Sequence, residues 1–462
     1  MLPPMPPRAL RISPAGLRGI VGPGLTATIA LEFTAAFAAF LEAPGPVVAG
    51  RDPRASSVML REGVLAALVA SGRDVIDLGL VSTPVVQHAI RRLHAAGGVS
   101  VGASHNASEW NALKFFGPRG RYLSSAEAGE LLDVYHLRRT AFVEWDRLGH
   151  VREDPTAIDE YLDDLADAYD FAALRRFRVV VDCCNGTSAP ILRRLNERHG
   201  FAFILINEQL EGVTFAHEPA TTARMVGLQL APLMRPLGAH AGFLFDVDSD
   251  RVALADEMGR ALSEELVLPL VADLLLSRGP GTLVITNLST TALVDEVAAR
   301  RGGRVVRVPV GRHAAIDALS GYRPDEVACA GEGTGAVMMP RFRFVYDGIA
   351  SMFAVLTLMH ERGPSLASLV DGWPRFEILK GEVPLSSLRV PRLLAELREQ
   401  YTSRDDPGVA TATDGLRVAW PDRWFHVRVS QTEPLVRVIC EQRGRVPREL
   451  FDAVLEEVRR HA

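Results

Sequence analysis

The chain repeats one plan three times, and this plan constrains its fold more than any other feature. An apolar strand, a turn with glycine and a helix lead into a second apolar strand, beginning at residues 46, 177 and 281. Each helical stretch ends at glycine, and the strand after it is apolar throughout. Such strands are typical of parallel sheets that are covered on both faces. The plan therefore predicts three similar α/β domains with mixed, mainly parallel sheets, and ligand sites in the loops after the strands.

The residues after the third repeat follow a different pattern. GLRVAWPD (415–422) and WFHVRVS (424–430) alternate apolar and polar residues, and LVRVICE and the helix-like PRELFDAVLEEVRRH follow. Alternation predicts antiparallel strands with one buried face, hence a C-terminal α+β domain. The 462 residues also exceed what one hydrophobic core supports. We predict four domains, at residues 1–155, 156–262, 263–375 and 376–462.

The composition argues against several classes of partner and against a secreted protein. A net charge of −5 gives no sign of a nucleic-acid partner or an anionic membrane surface. No window approaches the apolar length of a membrane span, and the first residues lack the apolar core of a secretion signal. The four cysteines have no metal-ligand spacing, and Cys183 and Cys184 are adjacent. We expect a reduced, cytoplasmic protein.

The stretch GASHNASEWNALKFFG (102–117) contains the first candidate site. Ser104 and His105 stand in a small-residue turn, and Lys114 is one of only two lysines in a chain with 49 arginines. Serine and asparagine also favour ordinary turns. However, lysine is a compact charge whose pKa burial can change, unlike that of arginine, which favours a chemical role for Lys114. Ser104 is thus a candidate nucleophile or phosphoryl carrier, with His105 and Lys114 as candidate acid, base or charge stabiliser.

The second candidate site is the stretch GFLFDVDSDRVALADEMG (242–259). Asp246, Asp248 and Asp250 alternate between two apolar runs. Carboxylates this close repel one another unless a cation neutralises them, and oxygen ligands suit Mg²⁺ or Ca²⁺. A calcium loop of the EF-hand type is disfavoured because Arg251 stands where that loop needs glycine and because the flanks resemble strands. The apolar flanks also disfavour a solvated acidic turn, so the pattern favours a Mg²⁺ site at a strand end.

A third candidate site is the glycine-rich turn GEGTGAVMMP (331–340). It contains Glu332 and Thr334. Glycines let the backbone approach a ligand closely, and a carboxylate there can accept hydrogen bonds from hydroxyl groups. Short turns of this composition are also common loop chemistry. Alone, this turn is a weak signal.

The fourth candidate site is HVRVSQTEPLVRV (426–438). Two arginines and two hydroxyl side chains surround one turn. Guanidinium groups bind phosphate through two hydrogen bonds, and hydroxyls and turn amides complete such a site. The alternative is an exposed strand end with ordinary polar residues. We predict a phosphate site formed by Arg428, Ser430, Thr432 and Arg437.

The four clusters, in this order and one per domain, resemble the α-D-phosphohexomutase family of phosphoglucomutases, phosphomannomutases and phosphoglucosamine mutases. The resemblance covers essentially the whole chain. It begins at AGLRGIVGPGLT (15–26) and GRDPRASS (50–57), and it ends at RVSQTEPLVR (428–437). One departure is Ala336, which stands where many members have histidine, and another is Thr334, which replaces serine.

The resemblance implies four domains around one central cleft and a phosphorylated serine, Ser104, that donates its phosphoryl group to a hexose phosphate. The intermediate would be a hexose 1,6-bisphosphate that turns over and returns its other phosphate. Mg²⁺ would be held by Asp246, Asp248, Asp250 and a phosphate oxygen on Ser104. The residues expected to bind substrate are Arg18, Arg251, Arg312, His313, Glu332, Thr334, Arg428, Ser430, Thr432 and Arg437.

The expected activity is interconversion of hexose 1-phosphate and hexose 6-phosphate, with phosphomannomutase/phosphoglucomutase preferred. Phosphoglucosamine mutase is the alternative, because these sugars differ by one or two hydrogen bonds at C2. A sugar-phosphate-binding protein without catalysis and a phosphatase are hypotheses from other classes. We expect a small phosphosugar as the partner and a monomer or homodimer. The C-terminal domain is expected to move, since a bisphosphate must be enclosed and yet have room to turn.

Overall fold

The structure is a computed structural model that describes residues 10–13, 16–210, 214–279, 281–386, 388–403, 407–430 and 435–461. The strands within these ranges form four sheets, one for each part of the chain that the sequence patterns distinguish. None of the helices in these ranges is both long and apolar enough to span a bilayer.

The first sheet is mixed and has the strand order β1-β2-β6-β5-β3-β4-β7. Its strands are β1 (Leu10–Ser13), β2 (Gly16–Ile20), β3 (Val47–Arg51), β4 (Val75–Leu80), β5 (Gly97–Val101), β6 (Trp110–Phe116) and β7 (Val151–Glu153). The helices around it are α1 (Ala27–Phe40), α2 (Ala55–Ala70), α3 (Thr83–Arg92) and α4 (Ser125–His136). Both faces are covered: Val47 and Ala49 belong to one buried apolar cluster, and Val48 between them belongs to another.

The second sheet has the order β11-β10-β8-β9. Its strands are β8 (Val179–Asp182), β9 (Ile204–Ile206), β10 (Ala241–Phe245) and β11 (Val252–Asp256). Its helices are α5 (Ala157–Ala168), α6 (Phe171–Leu174), α7 (Ser188–His199), α8 (Ala223–Gln229) and α9 (Ala231–Met234). β8 is parallel to both β9 and β10, whereas β10 and β11 form an antiparallel hairpin.

The third sheet has the order β13-β12-β14-β15-β16. Its strands are β12 (Leu283–Asn287), β13 (Arg304–Val308), β14 (Val327–Glu332), β15 (Ala336–Met339) and β16 (Arg343–Tyr346). The helices that accompany it are α10 (Val267–Arg278), α11 (Leu293–Arg300), α12 (Arg312–Leu319), α13 (Gly348–Arg362) and α14 (Leu366–Asp371). β12, β13 and β14 are parallel, and β15 and β16 continue the sheet antiparallel.

The fourth sheet is antiparallel and has the order β17-β21-β20-β19-β18. Its strands are β17 (Phe376–Pro384), β18 (Val409–Thr411), β19 (Leu416–Ala419), β20 (Arg423–Val429) and β21 (Leu435–Arg443). The helices α15 (Val390–Thr402) and α16 (Arg448–Arg460) pack on it. This sheet has its own buried apolar cluster, whereas one continuous cluster extends through the first three sheets.

The fold prediction is confirmed at each repeat. The segments β3-α2-β4, β8-α7-β9 and β12-α11-β13 each join two parallel strands through a helix. The C-terminal strands pair antiparallel as their alternation predicts. The chain therefore contains three α/β domains and a C-terminal α+β domain, while the residue numbers given for the domain bounds stay a prediction.

Candidate active site

The three aspartates lie in the turn between β10 and β11, which we call the Asp loop (Asp246–Arg251). The side chains of Asp246, Asp248 and Asp250 are buried, and each offers an oxygen within 4.8 Å of the others. One oxygen of Asp248 and one of Asp250 lack a hydrogen-bond donor among the described residues. Buried carboxylate oxygens without donors carry a high desolvation cost, which a bound cation would relieve.

Two helix N-termini fix the Asp loop. Gly348 begins α13, and its amide donates to Ser249 O at 3.0 Å. A Cβ at position 348 would lie 2.9 Å from the carbonyl oxygen of Arg251 in the same loop, so this close approach requires glycine. Thr83 begins α3, and its amide donates to Asp248 O at 3.2 Å while its hydroxyl donates to Asp248 Oδ2 at 2.7 Å. The positive ends of both helix dipoles thus face an acidic loop.

Ser104 lies in the loop after β5, directly beside the Asp loop. Its hydroxyl donates to Asp246 Oδ2, and His105 Nδ1 lies 3.3 Å from the same hydroxyl oxygen. Ser104 has a φ of 52°, an uncommon value for a residue other than glycine. Such strain occurs where the surroundings determine the conformation, often at functional sites. The positive charge of Arg251, followed by burial, lowers the pKa of His105 well below its ordinary value.

A buried arginine that sequence reasoning did not single out holds the serine loop in place. Arg54 donates to the carbonyl oxygens of Ser104 at 2.9 Å and Asn106 at 2.7 Å. Its Nε donates to Asp52 Oδ2 at 2.9 Å, and its side chain is 1% exposed. These contacts explain how the strained serine loop stays in one conformation. Arg54 is part of GRDPRASS, so the motif contained the signal although its role was not assigned.

Lys114 extends from β6 into the same site and is fully enclosed. Its ammonium donates to Asp248 Oδ2, and it lies 3.2 Å from Asp250 Oδ2 and 3.4 Å from the hydroxyl of Thr83. Burial alone lowers the pKa of Lys114, but the two carboxylates outweigh burial and raise the pKa above its ordinary value. Lys114 therefore acts as the counterion of the Asp loop from a neighbouring domain.

Three predicted arginines converge on this centre. Arg18 donates to Asn106 Oδ1 at 2.8 Å in the serine loop, while Arg312 donates to Asp250 Oδ2 at 3.2 Å. Arg251 Nε lies 3.7 Å from Asp250 Oδ1. Burial, together with the charges of Arg312 and Arg251, lowers the pKa of Arg18 to about 10. Like charges gathered in this way around Arg18 form a site for an anion such as phosphate.

An aromatic stack links the Asp loop to the glycine-rich turn. The Arg312 guanidinium lies 4.1 Å from the ring centre of Tyr122 and 5.4 Å from that of Tyr346. The Tyr346 hydroxyl donates to Glu332 Oε1 at 3.4 Å. Neither tyrosine was predicted, and no sequence signal marks them. The stack places Arg312, a predicted substrate ligand, between the Asp loop and Glu332.

The turn from Glu332 to Gly335, which we call the sugar loop, connects β14 to β15. Thr334 O accepts the Thr221 hydroxyl at 3.1 Å, and Thr334 Oγ1 is buried without a hydrogen-bond partner among the described residues. His313 follows Arg312 in α12, and burial and that arginine lower its pKa below the ordinary value. Thr334 is thus in the same turn as Glu332, and His313 is in the helix that Arg312 begins.

The predicted phosphate site lies on the C-terminal domain, and we call Arg428, Ser430 and Arg437 the phosphate clamp. Arg428 in β20 and Arg437 in β21 are directly opposite each other in the antiparallel register. Like charges in this position destabilise a sheet unless an anion accompanies them. Arg428 Nε donates to Asp414 Oδ2 at 3.1 Å, and Ser430 N donates to Leu435 O at 2.8 Å at the end of the hairpin. Thr432 lies outside the described residues.

Three family models, one for each α/β domain of a single protein family, match this chain. The matching descriptions are phosphoglucomutase/phosphomannomutase α/β/α domain I at residues 12–139, domain II at 159–259 and domain III at 264–376. A phosphoglucomutase/phosphomannomutase from Thermococcus kodakarensis is 30% identical over 96% of this chain and 97% of its own length. A probable phosphoglucosamine mutase from Methanopyrus kandleri is 31% identical, with the same coverage of 96% and 97%.

Solved structures share the fold. A phosphoglucomutase/phosphomannomutase family protein from Burkholderia thailandensis has a TM-score of 0.82 at 24% identity and covers 98% of this chain and 97% of its own. An Aspergillus fumigatus N-acetylphosphoglucosamine mutase, solved with GlcNAc-6P and magnesium, has a TM-score of 0.61 at 15% identity and covers 99% and 97%. The chain therefore belongs to the α-D-phosphohexomutase family, whose members are phosphomutases and hence isomerases.

Proposed function

We propose that this protein interconverts hexose 1-phosphate and hexose 6-phosphate through a phosphorylated Ser104 and a hexose 1,6-bisphosphate. One observation carries the proposal: the Ser104 hydroxyl is hydrogen-bonded to a buried aspartate of a three-aspartate loop, amid Lys114 and three arginines. Phosphoryl transfer depends mainly on positioning and on charge stabilisation, and this site concentrates both. Mannose and glucose phosphates are the proposed substrates.

The Asp loop fits Mg²⁺. It offers three buried carboxylates, two of which keep an oxygen without a hydrogen-bond donor. Hard oxygen ligands of this kind are those that Mg²⁺ uses, commonly together with a phosphate oxygen. Asp246, Asp248, Asp250 and a phosphate oxygen on Ser104 would hold it. When bound, Mg²⁺ would neutralise charge on the phosphoryl group during transfer.

The residues of the chain supply the rest of the reaction. The bond between phosphorus and Ser104 Oγ breaks as a sugar hydroxyl bonds to phosphorus, and the proton of that hydroxyl must leave. In the return step Ser104 Oγ bonds to the phosphorus of the other phosphate, the bond from that phosphorus to the sugar oxygen breaks, and the sugar oxygen takes up a proton. His105, whose Nδ1 lies 3.3 Å from Ser104 Oγ, is the proposed acceptor of the serine proton in this step. Lys114 and Arg18 hold positive charge beside the group that moves, which carries about −1.5 to −2 charges as phosphoserine.

The phosphate clamp would hold the phosphate that is not reacting. Arg428 and Arg437 project from one face of neighbouring strands, so one phosphate can accept hydrogen bonds from both. Glu332 would accept hydrogen bonds from sugar hydroxyls. Because the clamp recognises phosphate alone, it serves either orientation of the sugar. The separate apolar cluster of the C-terminal domain supports the expected movement that lets a bisphosphate turn.

Phosphoglucosamine mutase is the second candidate function. The relative from Methanopyrus kandleri bears that name and is 31% identical, against 30% for the relative named phosphoglucomutase/phosphomannomutase. These identities favour neither sugar. The choice depends on hydrogen bonds at C2 of the hexose, where the substrates differ.

Parallel turnover measurements test both candidates. Mannose, glucose and glucosamine 1-phosphates would each be supplied with Mg²⁺ and a trace of the matching bisphosphate, and intact-mass measurements would follow phosphate on Ser104. Interconversion with phosphorylated Ser104 supports the proposal, and the best substrate decides between the candidates. Ser104→Ala is the matched control. Binding without turnover would indicate a sugar-phosphate-binding protein, and phosphate release faster than isomerisation would indicate a phosphatase.

A further inference from the structure

The second lysine of the chain joins the C-terminal domain to the third domain. Lys380 lies in β17, and its ammonium lies 2.9 Å from Glu265 Oε1 and 3.2 Å from Glu264 Oε1. The side chain of Glu265 is only 5% exposed. A buried carboxylate needs a countercharge, and here the countercharge comes from another domain.

Glu265 in turn supports the sugar loop. Its Oε2 accepts the amide of Thr291 at 3.0 Å. The backbone of Gly333 packs against the same carboxylate so closely that a Cβ at this position would lie 1.9 Å from Oε2. Gly333 N donates to Thr290 Oγ1 at 3.1 Å. Gly333, which follows Glu332, is therefore held between Thr290 and Glu265.

The strand that carries Lys380 also reaches the phosphate clamp. β17 pairs with β21, so that Lys380 is opposite Ile439 and Glu382 is opposite Arg437. Arg437 Nε lies 3.1 Å from Glu382 Oε1. Residues two apart on a strand point to the same face, so Lys380 and Glu382 are neighbours on one face. Lys380 thus stands between the clamp arginine and the sugar loop.

We propose that Lys380 is a positioning residue that holds Glu265 beneath Gly333 and so sets the sugar loop when the C-terminal domain is docked. The inference rests on the proposed function, since it takes the sugar loop and the clamp to bind one hexose phosphate. Without the ammonium, a buried carboxylate takes up a proton or turns toward water. Gly333 then loses the surface on which it packs, and Glu332 loses its position.

The substitution Lys380→Met tests the inference, and Arg443→Met is its matched control. Arg443 forms an ion pair with Glu296 at 2.9 Å across the same two domains, but Glu296 lies in α11 and does not contact the sugar loop. We expect Lys380→Met to raise KM for hexose 1-phosphate about tenfold, the scale of one charged hydrogen bond, and to raise it unequally for C2 epimers. Arg443→Met should leave both KM values unchanged at equal thermal stability, and Lys380→Arg should restore most of the affinity.

A double variant shows whether Lys380 acts through Glu265. Lys380→Met combined with Glu265→Gln should have the KM of Glu265→Gln alone, because the lysine has then lost its target. Additive effects, or equal KM values for Lys380→Met and Arg443→Met, would overturn the inference. Lys380→Gln serves the same comparisons if the methionine variant does not fold. If the wild type shows no turnover, the same variants can be compared by their affinity for glucose 1-phosphate, measured by calorimetry. Failure of the mutase proposal is therefore distinguishable from failure of this inference.

Discussion

Lys114 Nζ lies 3.2 Å from Asp250 Oδ2 and also donates to Asp248, so one buried ammonium from the first domain neutralises two aspartates of the second. Thr83 completes the contact, because its hydroxyl donates to Asp248 and its amide to the carbonyl of the same residue. The Asp loop is thereby fixed relative to Ser104. The geometry of the proposed transfer depends on this junction between domains.

Lys114→Arg is expected to fold and to lose about 10²-fold in turnover, because a shift of the Asp loop by about 1 Å relative to Ser104 costs that much. The lysine is completely enclosed, and a guanidinium is bulkier and spreads its charge over a plane. Substrate affinity should be kept, since the phosphate clamp is unchanged. Arg392→Lys is the control, because it makes the reverse exchange at an ion pair with Glu396 where the arginine side chain is 82% exposed. Steady-state kinetics of both variants check the prediction, and near wild-type turnover of Lys114→Arg would contradict it.

Asp248→Asn is expected to lower turnover far more than it lowers affinity for hexose phosphate. The carboxylate charge would act through Mg²⁺ on the moving phosphoryl group, whereas the clamp that holds the substrate phosphate lies on another domain. Kinetics and calorimetry on the same preparation, with Mg²⁺ affinity measured separately, check this. Asp371→Asn, at an exposed ion pair with Arg260, is the control. Equal losses of turnover and affinity would indicate a structural role for Asp248.

Much of the fold could be predicted because a strand that is buried on both faces is apolar at every position. Val47, Val48 and Ala49 are all apolar because alternate residues belong to clusters on opposite faces of the first sheet. The C-terminal strands alternate instead, and they pair antiparallel. The continuous apolar cluster through the first three domains could not be predicted in this way, because contacts between domains show no periodicity in sequence.

The site was predictable where one motif contains adjacent functional groups, as in Ser104 with His105 or in the Asp loop. The residues that position these groups could not be predicted, because they come from distant parts of the chain. Thr83 and Asp248 are 165 residues apart, and Tyr346 contacts Arg312 only through the packing of its strand. Lys380 stood in no motif, yet the structure pairs it with Glu265. Such partners follow from the way domains pack and not from local sequence.

Tyr346→Phe is expected to raise KM for hexose phosphate about tenfold, because the Glu332 carboxylate loses a hydrogen bond from the hydroxyl while the ring keeps its contact with Arg312. Tyr122→Phe is the matched control. Its ring also lies against Arg312, but its buried hydroxyl has no hydrogen-bond partner among the described residues. The control should be as active and at least as stable as wild type. Equal effects of the two substitutions would show that the hydroxyl of Tyr346 does not position Glu332.

Acid is expected to destabilise the C-terminal domain through His426, which lies at its boundary with the third domain. His426 Nε2 donates to Asp414 O at 2.6 Å, and Ser289 Oγ lies 2.8 Å from Nδ1, so the neutral ring satisfies both contacts. Burial, assisted by the charge of Arg428, lowers its pKa to about 4. Between this value and about 6.5 the unfolded chain binds more protons than the folded one.

The free energy of unfolding should therefore rise with pH across that window, and it should fall by at most about 3 kcal/mol as pH drops from about 6.5 to about 4. His426→Gln has no ring to titrate, so the difference in unfolding free energy between wild type and this variant should change over the same window. Urea unfolding followed by tryptophan fluorescence measures this, because Trp424 is buried in the C-terminal domain. A difference that is constant between pH values of about 4.5 and about 7.5 would show that His426 is not the group that responds to acid.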